Sequence, residues 1–240
     1  IRRQRQMCIR DSSYSIENIK SCRRKNGRDK TARNIQFFGG LIMLEKLEYY
    51  ICLFLYGLKE KEQVSKNTLF RYVYIFDVVN DYLGNFEKIN DEIILDKDMG
   101  LGNVVQLTEA LNEISRRNYV TVIGPNVKIE NELRLYIDSI IKLEKVQTDL
   151  NKIMYFVDIV SSYNEDVILS AFFNDPNVEN AIVRGKKEIE LSDNKLKQLL
   201  EEFEKVANEN RLNKLDKYDV FTSWLDYVFE EYLQEKESNE

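Results

Sequence analysis

Asp96-x-Asp98-x-Gly100 opens like the first half of a calcium loop, where alternating carboxylates would supply hard oxygen ligands. The twelfth position of such a loop needs a bidentate glutamate; here it is Leu107, and the glycine stands one place early. Gly100-x-Gly102 begins a dinucleotide fingerprint, but the third glycine position is Val105, too large for close helix packing. No Walker loop is present in the sequence. Nucleophilic catalysis by Ser, Cys or Thr leans on an adjacent base, most often histidine, and the chain contains none. The acid pairs Asp91/Glu92 and Glu201/Glu202 are sequence neighbours and read as solvated faces. Cys8, Cys22 and Cys52 have no metal-ligand spacing, and without histidine a conventional zinc site has no imidazole. No metal, cofactor or small-molecule substrate is expected, and no enzyme.

One set of side chains could do recognition instead. Gln106, Asn112, Arg116 and Arg117 fall on the polar side of an apolar-periodic segment, and Lys128 follows shortly after on a strand-like one. Amide and guanidinium groups read base edges, and a lysine meets a phosphate. Glu109 and Glu113, however, form an i,i+4 acidic pair aimed the same way, which suits a protein partner better than a polyanion. The tyrosines at 49, 50, 72, 74, 82, 155, 163, 218, 227 and 232 could stack on single-stranded bases, but no basic residues interleave them. They read as core or half-buried packing.

The segment that must position the recognition set is Asn103 to Glu130. Val104, Leu107, Leu111 and Ile114 give one apolar helix face, with Asn103 at the N-cap position and Asn118 near the end. Tyr119 to Ile123 is β-branched and aromatic, Gly124-Pro125-Asn126 is a turn cluster, and Val127 to Ile129 resumes strand-like alternation. Two helices are predicted upstream, over 44–58 and 68–83, with a polar connection over 59–66 and Ser65 or Asn67 as a cap. Ile93 to Leu95 reads as a short strand that joins the hairpin's sheet. Downstream, helical patterns cover 132–143 and 150–160, then 167–173 and 178–183, with a turn at Asp175-Pro176-Asn177. Lys187 to Leu191 reads as a strand or as the approach to a helix. Two long helices close the chain, one capped by Ser192 with seam Leu196, Leu199, Leu200, Phe203 and Val206, the other using Phe221, Trp224, Leu225, Val228, Tyr232 and Leu233. The expected class is mainly α: a winged helix-turn-helix with a small β-hairpin wing over residues 41–145, and a helical region over 146–240 packed on it.

Composition agrees with a helical globular chain. Of 240 residues only two are proline and nine glycine, which leaves helices uninterrupted. The most apolar stretch, Leu41 to Leu58, contains Glu45, Lys46 and Glu48, so it reads as a core helix and no membrane span is expected. The net charge of −6 is split. Residues 1–36 carry eleven basic and three acidic side chains, leaving 24 basic and 38 acidic for the rest. A body that acidic repels phosphate unless one face is locally basic. Residues 1–40 are expected to be a disordered or spurious basic extension. Residues 5–12 (RQMCIRDS) resemble a translated sequencing adapter, and Met43 reads as the start of the natural frame. The thiol usage fits a reducing, cytoplasmic setting.

The run Leu69 to Leu83, the loop after it, the Glu109–Tyr119 helix and the Gly124-Pro125-Asn126 turn resemble winged-helix proteins of bacterial defence loci. The nearer resemblance is to the middle component of three-component, Lamassu-like ABC-ATPase systems. It implies a cytoplasmic adaptor beside an SMC-like ATPase encoded nearby, and a helical extension such as the one expected beyond Leu150. Thr68-Leu69-Phe70-Arg71-Tyr72-Val73-Tyr74 also resembles a helix of the Panacea-type antitoxin domain, although that domain's Tyr-Gly-Pro-Tyr segment is missing. The leading expectation is a non-enzymatic adaptor that binds a protein through Glu109 and Glu113. The alternative is a DNA-binding regulator or antitoxin using Gln106, Asn112, Arg116, Arg117 and Lys128.

Overall fold

A helix that is apolar on every side has to be surrounded by other elements, and this chain is built around one. In the computed structural model, which describes residues 44–84, 89, 92–190, 194–209 and 214–237, α1 (Lys46–Gly57) has every residue from Glu48 to Tyr56 buried. The expectations for residues 1–40, including the adapter-like segment and Cys8 and Cys22, lie outside the described residues, as does Ser192. Mainly helical with small antiparallel sheets, the fold has nine helices and six short strands among the described residues.

From α1 the chain passes through β1 (Gln63–Ser65) into α2 (Lys66–Leu83). Ser65 caps α2 by accepting from the Thr68 amide, and Gly84, at φ 81, ends it in a conformation glycine adopts without a Cβ penalty. Next come β2 (Glu92–Asp96), β3 (Leu101–Gly102) and α3 (Val104–Arg116). Asn118, at φ 59, stops α3, and the Tyr119 amide bonds back to the Ile114 carbonyl at 3.1 Å. The hairpin β4 (Val120–Ile123) and β5 (Asn126–Ile129) turns over Gly124, whose φ of 55 suits the first position of a tight two-residue loop. Six helices and one strand follow: α4 (Asn131–Ile140), α5 (Glu144–Val160), α6 (Glu165–Phe173), α7 (Pro176–Val183), β6 (Glu188–Glu190), α8 (Lys195–Asn208) and α9 (Lys217–Glu237).

Two antiparallel sheets result, and their membership differs from the sequence expectation. The hairpin's third strand is β1, in the order β1-β5-β4, with Val64 opposite Val127. The polar connection over 59–66 therefore conceals a strand: three residues are too short to show a period, and Val64 is their only inward side chain. Ile93 to Leu95 does form a strand, but it joins β3 and β6 in the order β3-β2-β6. The ambiguous 187–191 stretch supplies β6, with Ile189 opposite Ile93. Partner choice of this kind is tertiary. β6 arrives from almost a hundred residues downstream, and no local pattern records it.

The core is continuous across the 145/146 boundary drawn from sequence. Phe54 of α1, Phe76 of α2 and Phe156 of α5 meet edge to face, at centroid distances of 5.3, 6.2 and 5.1 Å, and Phe221 of α9 stacks on Phe156 at 5.8 Å. Such aromatic pairs add to the burial energy of their rings. Asn194, not the expected Ser192, caps α8. The α8 seam is narrower than predicted: Leu196 and Leu200 are buried, whereas Phe203 and Val206 are exposed. Glu204 shares the inward flank instead and accepts a hydrogen bond from Tyr82 at 2.9 Å. Leu233 near the end of α9 is exposed as well.

Candidate interaction surface

α3 presents its polar side because Leu107, Ala110, Leu111 and Ile114 bind it to the core through the opposite face. Glu109, Asn112 and Arg116 are exposed as expected, and Gln106 and Glu113 are half-buried. Lys128 is exposed on the hairpin, in the row Gln63, Lys128, Thr121 across the outer face of the sheet. One position is corrected. Arg117 does not extend outward with the others: it caps the C-terminus of α3 and turns toward α1, placing Nη2 3.6 Å from Oε2 of Glu48. Glu48 is nearly buried, so the guanidinium is drawn in to meet a carboxylate that burial would otherwise leave without a cation. Burial pushes the Glu48 carboxyl above its ordinary value, opposed by the Glu45 amide and by Arg117.

Each cation of the recognition set has a carboxylate of its own. Arg116 pairs with Glu113 one turn back, and Arg117 with Glu48. Lys128 lies 3.1 Å from both oxygens of Glu130, which also accepts from the Thr121 hydroxyl at 2.7 Å. These hydrogen bonds hold the Glu130 carboxyl below its usual value. With Glu109 also outward, three cations face four carboxylates. The outward surface also carries apolar groups that periodicity did not single out: Val105 in the first turn of α3 is 65% exposed, and Ile123 beside the hairpin turn is 49% exposed. A valine at the head of an amphipathic helix looks like part of the seam until the helix is docked. The charge partners Glu48 and Glu130 were likewise missed. The available signals were the oddity of a glutamate inside the apolar run of α1 and the two-residue spacing of Lys128 and Glu130 along a strand-like segment.

Elsewhere several polar side chains close on one another. The tyrosine hydroxyls act as pegs between elements: Tyr49 donates to Asp149 at 3.2 Å, Tyr56 to Asp138 at 2.6 Å, and Tyr74 to Asp175 at 2.8 Å. Of the ten tyrosines read as packing, Tyr49, Tyr50, Tyr72, Tyr74 and Tyr82 are buried, whereas Tyr155 and Tyr227 are exposed. An open cleft of about 440 Å³ is lined by Ser162, Tyr163, Asn164, Val167, Asp226 and Phe229. Its polar groups are engaged internally, Tyr163 donating to Asp226 at 2.6 Å and Asn164 accepting from the Val167 amide at 2.8 Å. Among the described residues no three His, Cys, Asp or Glu side chains gather as metal ligands. Nor is any described helix long and apolar enough to cross a membrane. Cys52 is fully buried, with its thiol pushed upward by desolvation.

No family model matches the chain, and no curated protein or solved structure is significantly similar to it.

Proposed function

We propose that this chain is a winged-helix adaptor, without catalysis of its own, that docks on a protein partner through the outward face of α3. The order α1-β1-α2-α3-β4-β5, with strand order β1-β5-β4 and α3 leading into the hairpin, supports the winged-helix reading. The observation that carries the functional reading is charge compensation. Each of the three cations of the recognition set, Arg116, Arg117 and Lys128, is engaged by a carboxylate of the same chain, and Glu109 stands outward besides. A duplex would have to displace those carboxylates and would still face a net negative surface. A protein partner with basic and apolar groups would meet Glu109 and Val105 without that cost, beside a Glu113 already shared with Arg116. By resemblance, the partner is an SMC-like ATPase of a cytoplasmic bacterial defence complex.

The second reading, a DNA-binding regulator or antitoxin, draws on the exposure of Arg116 and Lys128, whose side chains remain 73% and 47% accessible despite their pairing. Duplex DNA titrated across a salt series separates the two. The adaptor reading expects weak binding with a shallow salt slope, unchanged in Arg116→Ala with Lys128→Ala. Tight binding that falls steeply with salt and is lost in that variant would overturn it. From cells expressing the surrounding genes, the chain is expected to bring down a neighbouring product, and Glu109→Lys with Glu113→Lys to lose it. Recovering the parent chain alone would count against the adaptor.

A further inference from the structure

We propose that the β3-β2-β6 sheet, together with Tyr74, couples the α7–β6 segment to the first turn of α3, so that a change in how α7 and β6 sit is felt at the head of that helix. The coupling is independent of what α3 binds.

The head of α3 does not hold itself. Asn103 occupies the N-cap position in a left-handed conformation, φ 51, and its side chain makes no capping bond to the first turn. Its carboxamide oxygen accepts instead from the Ile94 amide at 2.6 Å, and its own amide donates to the Ile94 carbonyl at 2.7 Å. An Asn tolerates this backbone better than most residues, but the conformation persists only where neighbours impose it. Here the neighbour is β2.

β2 in turn depends on the downstream chain. β3 offers it only two residues, whereas β6 pairs with Glu92, Ile93 and Ile94, and the Leu95 amide donates to the Lys187 carbonyl at 2.7 Å. β6 follows α7, whose N-cap Asp175 is fully enclosed and accepts from Tyr74 of α2. The same Tyr74 ring lies so close to β3 that a Cβ on Gly102 would stand 2.5 Å from its Cδ2. One side chain thus touches the strand that leads into α3 and the cap that starts α7. Gly100 closes the circuit: its carbonyl accepts from Arg71 Nε at 3.3 Å, and its Cα faces Leu169 and Phe173 of α6. The far end of α3 has other supports, Glu48 of α1 and the hairpin. The helix is therefore anchored at its head through β2 to β6 and α7, and at its tail by α1 and the hairpin. Contiguous, shared contacts of this kind are what carry coupling between distant segments.

Amide hydrogen exchange on the full chain tests this, comparing the parent with Tyr74→Phe, Ile189→Ala and the control Tyr163→Phe. Tyr74→Phe removes only the bond to Asp175; Ile189→Ala thins β6 without touching Tyr74; Tyr163→Phe removes a similar peg, to Asp226, away from the sheet. The expected result is exchange faster by about tenfold over 101–107 in both sheet variants, with 120–129 unchanged and the control at parent rates. If faster exchange is confined to α7 and β6, or if Tyr163→Phe accelerates 101–107 equally, the coupling is refuted. Should Tyr74→Phe fail to fold, Ile189→Ala carries the same two outcomes.

Discussion

Replacing Asp175 by asparagine tests the physics of the buried network that fastens α7 and α8 to α2. Asp175 Oδ1 accepts from the Asn177 amide at 2.8 Å and from its side chain at 2.7 Å, while Oδ2 takes the Tyr74 hydroxyl. Asn177 passes the connection to Asn194, which donates to the Val78 carbonyl at 2.7 Å. Every partner of the carboxylate named here is a neutral donor, and desolvation outweighs them, lifting the carboxyl from 3.8 to about 6. A carboxyl raised in the folded state stabilises fully below its unfolded value, and that contribution is lost as pH rises through about 6. The difference of roughly two units, at about 1.4 kcal/mol each, makes the ionised form in the fold cost about 3 kcal/mol. Asp175→Asn keeps an acceptor for the Asn177 amide and cannot ionise. Its stability relative to the parent should therefore climb by about 3 kcal/mol between about pH 3.5 and about pH 7. Urea unfolding of both proteins at half-unit pH steps measures this. A constant difference across the range would refute the reasoning, for it would mean that the hydrogen bonds offset the desolvation completely.

Two further outcomes follow from contacts already described. Arg117→Ala leaves Glu48 buried without its cation and should cost about 1–3 kcal/mol at neutral pH, the loss fading as acid protonates Glu48. In a Glu48→Gln background the same change should cost under about 1 kcal/mol, and a double-mutant cycle by urea unfolding reads the coupling. Gly102→Ala drives a methyl into the Tyr74 ring and against Ile93 Cγ2 at 3.2 Å, and should lower stability by about 1–3 kcal/mol in thermal or urea melts. An unchanged midpoint would mean that Tyr74 gives way freely, which its fixed hydroxyl argues against.

The amino-acid sequence on its own determined the local elements. The apolar period of Leu107, Leu111 and Ile114, the turn at Gly124-Pro125 and the stop at Gly84 each follow from side-chain spacing and backbone sterics within a dozen residues. The exposure of Glu109, Asn112 and Arg116 was legible for the same reason, since burying one helix face dictates the other. What only the tertiary structure decided is whatever depends on a partner distant in the chain. β1 is a strand because β5 lies beside it, and β2 pairs with β6 and not with the hairpin. Asn103 spends its side chain on β2 and not on its own helix. Arg117 is legible as a cation but not as a neutralised one, because Glu48 lies sixty-nine positions away on another helix, whereas Lys128 and Glu130, two apart on one face of an extended segment, meet by local period alone. Periodicity records which face a residue takes; the charge or strand that meets it there is set by how the elements dock, and side-chain electrostatics then fixes what that surface can bind.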